Sequence, residues 1–65
     1  MIKEEHRPSG TGGIYTIVAE TKEQALEYAT AKKNSIDYYR SPSILSQREL
    51  TSGEYEVQIK YYGLD

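Results

Sequence analysis

The chain has 65 residues, a formal charge of −2 and no cysteine, which allows one small domain and excludes a disulfide-stapled or thiolate-metal scaffold. Isoleucine, leucine, valine and methionine occupy thirteen positions, three of them at the ends (Met1, Ile2 and Leu64), so ten aliphatic side chains are left for a core. Eight basic residues are interspersed with ten acidic ones, which argues against nucleic acid as a partner, because phosphate neutralisation calls for a basic stripe.

Met1 and Ile2 are followed at once by Lys3, Glu4, Glu5, His6 and Arg7, so no apolar leader is read here and no run is long enough to cross a bilayer. The expectation is a cytoplasmic protein without membrane contact. Residues 1–13 contain Pro8, three glycines and a series of charged side chains, a composition that predicts a flexible N-terminal arm. Ser9-Gly10-Thr11-Gly12-Gly13 is not read as a phosphate loop. That motif continues into Lys-Ser or Lys-Thr at a helix start, whereas these glycines lead into Ile14-Tyr15-Thr16-Ile17-Val18.

Ile14 to Ala19 carries β-branched and aromatic residues on both parities, with Ile14, Thr16 and Val18 on one face and Tyr15, Ile17 and Ala19 on the other. A strand buried or half-buried on both sides is predicted. Thr21-Lys22-Glu23-Gln24 reads as a capping box, and Glu23 and Glu27 early with Lys32 and Lys33 late suit the helix dipole. The helix is placed at about Lys22 to Lys33, with Asn34 as a left-handed stop. Ala25, Leu26 and Ala29 form its apolar stripe, narrow enough to lie close to a sheet.

Ser35 to Arg40 returns to strand composition and is interrupted by Pro42. Ile44 to Leu50 suits either an edge strand or a short helix, and the turn signal in Thr51-Ser52-Gly53-Glu54 favours the strand. In Glu54 to Tyr62, Tyr55, Val57, Ile59 and Tyr61 alternate with polar neighbours, the pattern of a half-buried strand. A three-residue hairpin loop would place Arg48 opposite Glu56 and Leu45 opposite Ile59, a two-residue loop would oppose Glu49 to Glu56, and the charge pairing favours the longer loop. The predicted fold is therefore α/β in the α+β sense: one helix packed on a small, mostly antiparallel three-stranded sheet, in the order strand, helix, strand, strand. Residues 14–65 form its single domain.

No constellation for catalysis emerges. His6 is the sole histidine and falls in the predicted arm, and there is neither a cysteine nor a G-x-S-x-G nucleophile elbow. Tautomerase subunits that use an N-terminal proline as base are similar in length, but here Ile2 follows the initiator and the first proline is Pro8. No enzyme activity, cofactor or metal is expected. The distinctive feature is seven tyrosines beside no phenylalanine and no tryptophan, a choice that suits surfaces exposed in one state and buried in another. In a strand the neighbours Tyr38 and Tyr39, like Tyr61 and Tyr62, point to opposite faces. With Tyr38 and Tyr61 in the core, Tyr39 and Tyr62 join Ile14 and Val18 on the outside as the predicted protein-binding residues.

The functional expectation is a non-catalytic protein-binding module, a small adaptor or inhibitor that also forms a homodimer through its outer sheet face or an unprotected edge. The partner's identity is not written in these residues. Size alone brings to mind the host-targeting factors of viruses and mobile elements. The competing expectation is a small nucleic-acid-binding regulator that uses sheet aromatics.

Overall fold

The computed structural model describes residues 1–63; the last two positions of the predicted domain lie outside the described residues. The elements run β1 (Lys3–Ser9), β2 (Gly12–Ala19), α1 (Lys22–Ser35), a 3-10 turn (Tyr38–Arg40), β3 (Ser43–Glu49) and β4 (Tyr55–Tyr62). The strands form one sheet in the order β1-β2-β4-β3, with every neighbouring pair antiparallel. The α+β class is as expected. The expected three strands become four, because β1 lies in the segment expected to be a flexible arm and adds to the edge of β2.

Period-two alternation sorts β2 and β4 into a covered and an uncovered face. Ile17 and Ala19 from β2 and Val57 and Ile59 from β4 are fully buried, together with Ala25 and Ala29 of α1. Tyr15, Leu26, Ile36 and Tyr55 pack around this cluster. Alanine at both helix contacts lets α1 settle close to the sheet, so three large side chains, Ile17, Ile59 and Val57, fill the centre of the core. The helix starts where expected: the Thr21 hydroxyl accepts the Gln24 N–H at 3.1 Å, which satisfies one of the open amides of the first turn. It runs through Asn34 to Ser35, so Asn34 is not a left-handed stop. Termination is extended, with the Ile36 N–H donating to the Lys33 carbonyl at 3.2 Å.

Beyond the helix the expected strand at 35–40 is replaced by the 3-10 turn. The Asp37 carboxylate accepts the Tyr39 N–H at 3.0 Å and its carbonyl accepts the Arg40 N–H at 2.9 Å. Such a side-chain cap stabilises a turn in competition with a ladder. Tyr38 consequently lies outside the core, 84% exposed.

The β3–β4 hairpin closes as expected on three residues, Thr51-Ser52-Gly53. The Leu50 N–H donates to the Glu54 carbonyl at 2.7 Å, and Gly53 supplies the φ of 92° that this loop requires. Arg48 stands opposite Glu56, with Nε 2.9 Å from Oε1. The register shifts by one between Ile44 and Ser46, so Ile44 rather than Leu45 faces Ile59. The bulge leaves Leu45 at the edge.

β1 is exposed along its whole length and is joined to β2 through a two-residue turn, since Ser9 pairs with Gly12. Side chains fasten it from the covered face. His6 Nε2 lies 2.5 Å from the Tyr61 hydroxyl, and the His6 ring stacks on Tyr15 at 4.2 Å. The Tyr28 hydroxyl donates to Glu4 Oε1 at 2.7 Å, and Lys32 Nζ lies 3.2 Å from Glu4 Oε2.

The Tyr28 hydroxyl, and after it Lys32, holds the Glu4 carboxyl below its usual range against an opposing desolvation. A carboxyl depressed in the folded state contributes stability that is fully present above its unfolded pKa, about 4.3. That contribution is lost as pH falls through the folded value. Glu4→Gln should therefore reduce the loss of stability on acidification from about pH 5 to pH 3. Urea midpoints of both proteins across that range provide the measurement, and the expected difference is small because the pair faces solvent.

Candidate binding face

Helix α1 covers one side of the sheet, and the strand register defines what stands on the other. Four cross-strand rows make up this uncovered face. From one end they are Ser9–Gly12–Tyr62, then Arg7–Ile14–Lys60–Ser43, then Glu5–Thr16–Gln58–Ser46, and last Lys3–Val18–Glu56–Arg48. The third row is a polar ladder across three strands. The Ser46 hydroxyl donates to Gln58 Oε1 at 3.0 Å, and Gln58 Nε2 donates to the Thr16 hydroxyl at 3.3 Å. In the fourth row the Arg48–Glu56 pair neutralises itself.

Of the residues expected to bind protein, Ile14, Val18 and Tyr62 stand on this face. Ile14 and Val18 are half-buried between polar rows, and Tyr62 at the end of β4 is 50% exposed. Ile14 and Tyr62 line one concavity, while Val18 lies two rows from Ile14. Tyr39 is placed elsewhere, which corrects the expectation that it shares the outer sheet face with Tyr62. It lies in the 3-10 turn, 77% exposed, stacks edge-on to Tyr38 at 5.6 Å and lines a separate hollow with Lys33, Ile36 and Pro42. The physical cause is the Asp37 cap, which converts the expected strand to a turn and cancels the alternation on which the placement of Tyr39 depended.

Charge is sorted by the sheet in a way the linear order conceals. The strand positions of the uncovered face carry four cations, Lys3, Arg7, Arg48 and Lys60, against two carboxylates, Glu5 and Glu56. The remaining described residues carry four basic and seven acidic side chains. The uncovered face is thus net positive on a net negative chain. Arg7 and Lys60 were not singled out from the sequence. The parity of Lys60 with Tyr62 was readable, but the position of Arg7 beside them requires β1 to be a strand.

A second group, His6, Tyr15 and Tyr61, lies under the other side of β1, where Arg40 sits 5.8 Å from the Tyr61 ring and Lys32 4.6 Å from the Tyr15 ring. Its contacts are internal and bind the edge strand to the core. Among the described residues no three His, Cys, Asp or Glu side chains group to hold a metal ion, and no helix is long and apolar enough to cross a membrane. Comparison of the chain with protein-family models, with characterised proteins and with solved structures found no match.

Proposed function

We propose that this is a small protein-binding module that presents its uncovered sheet face to a protein partner. Within that class, the particular role proposed is a non-catalytic adaptor or inhibitor acting in the cytoplasm, with a second copy of the chain among the partners the face can take. The observation that carries the reading is the one-sided cover of the sheet. Helix α1 buries one face, and the other keeps Ile14, Val18 and Tyr62 amid a rim of charged and polar side chains, the anatomy of a small interface.

Strand addition at the sheet edges is disfavoured. β1 carries the charged side chains Lys3, Glu4, Glu5 and Arg7 together with Pro8, and β3 is broken by the bulge at Leu45, both devices that blunt an edge. A nucleic-acid partner is less well served, because Tyr62 is the one aromatic on these rows and Glu5 interrupts the cations of β1.

The test is photo-cross-linking in the native cell from a benzophenone side chain at position 62, with position 30 on the exposed side of α1 as control. Adducts to a discrete protein from position 62 alone are expected. Tyr62→Ser should then weaken that complex by roughly tenfold to a hundredfold, as loss of an aromatic anchor does, with unchanged circular dichroism. Adducts from position 30 alone, or nucleic acid captured at position 62, would refute the reading.

A further inference from the structure

Near the β1–β2 turn the surface drops into a notch beside Ile14. The notch has a volume of about 260 Å3 and is walled chiefly by Arg7, Thr11, Ile14, Lys60 and Tyr62, with Gly13 at its base. We propose that this notch is a carboxylate-binding subsite that takes an acidic side chain, flanked by an apolar one, from a segment of the protein partner. The inference rests on reading the uncovered face as a protein-binding surface and specifies the chemistry that the surface selects.

Three features of the notch point to this ligand. Arg7 and Lys60 are the cross-strand neighbours of Ile14 on either side. Their backbones are separated by two strand spacings, about 10 Å, so two long cationic side chains can converge on one anion above the Ile14 side chain. Among the described residues neither cation has a carboxylate within ion-pair distance, and the Lys60 ammonium instead lies 5.0 Å from the Tyr62 ring. Arginine offers a planar fork that matches a carboxylate, and lysine adds a point charge.

The apolar parts of Ile14 and Tyr62 provide contact for the methylenes of the acidic side chain and for its apolar neighbour. The hollow is smaller than the roughly 300–1,000 Å3 of small-molecule pockets, which favours one or two partner side chains over a free metabolite. A continuous phosphate chain fits less well, because the cation row on β1 is broken by Glu5 two residues from Arg7.

The full chain, labelled with 15N, is titrated with the capped peptide Ac-Leu-Glu-Leu-NH2, with its Gln counterpart and with oligothymidylate. Saturable shifts centred on Arg7, Gly13, Ile14, Lys60 and Tyr62 are expected with the Glu peptide. Binding should be roughly tenfold or more weaker with the Gln peptide and in Arg7→Gln and Lys60→Gln variants, the cost of a lost charge-assisted contact. The variants' own spectra establish that they remain folded.

No shifts at millimolar Glu peptide, equal binding of the Gln peptide, or preferential binding of oligothymidylate would each overturn the proposal. Tighter binding of an uncapped peptide through its terminal carboxylate would overturn the choice of an internal acidic side chain. If the Glu peptide fails while cross-linking at position 62 still captures a protein, the subsite falls and the binding face stands; failure of both removes the face as well.

Discussion

Gly12→Ala is expected to abolish the native fold. Two independent costs meet at this position. The backbone has φ +143°, in a region that L-residues rarely adopt, and holding a non-glycine residue in such a region costs on the order of 1–3 kcal/mol. The added Cβ would also stand 2.0 Å from the Tyr61 carbonyl oxygen and 2.8 Å from the Tyr62 Cα. Both are backbone atoms of β4, so relief demands that β2 and β4, the two inner strands, separate at their Gly12–Tyr62 end. Overpacking of this kind costs about 1–3 kcal/mol even where side chains can yield.

A domain of this length has a total stability of about 3–10 kcal/mol, so the two costs together remove a large part or all of the margin. Loss of the cooperative thermal transition is the expected reading. Gly10→Ala is the matched control, since a Cβ at Gly10 meets nothing within 4 Å, and it should melt within a few degrees of the wild type. A folded Gly12→Ala protein of wild-type stability would show that the β2–β4 register is not as described.

Ile59→Ala should lower stability by about 2–5 kcal/mol. Ile59 is fully buried on β4, the strand that pairs with both β2 and β3, and it shares the core with Ile17, Val57, Ala25 and Ala29. Two of those neighbours are already alanines on the helix. The cavity would therefore open where few larger side chains can relax into it, which places the cost toward the upper part of that range. Ile59→Val, which removes one methyl, should cost about 0.5–1.5 kcal/mol. Urea denaturation followed by circular dichroism distinguishes the two. Equal, small losses for both substitutions would mean that Ile59 is not the centre of the core.

The sequence by itself determined the elements whose signal is local. Thr21 and the alanine stripe define α1, the alternation of Tyr55, Val57, Ile59 and Tyr61 defines β4, and Thr51-Ser52-Gly53 with Arg48 and Glu56 favours the second hairpin over a short helix at 44–50. Each rests on capping, periodicity or turn chemistry within a few residues. The tertiary structure alone decided β1, the turn at 38–40 and the bulge at Leu45.

β1 has no apolar face because it is an edge strand whose helix-side contacts are made by Glu4 and His6, so hydrophobic alternation, the main signature of a strand, is absent from Lys3 to Ser9. Its partners are supplied from afar: the ladder of β2, the hydroxyl of Tyr61 and the hydroxyl of Tyr28. At 38–40 the aromatic composition favours a strand, but the chain must leave α1 and reach the far edge of the sheet, and the Asp37 cap accommodates that change of direction. The candidate face follows the same division. The parity of Ile14, Val18 and Tyr62 could be read from strand periodicity. That Arg7 joins Lys60 across Ile14, and that Tyr39 stands apart from all of them, depends on which strand neighbours which, and pairing across the sheet joins positions as far apart as Arg7 and Lys60.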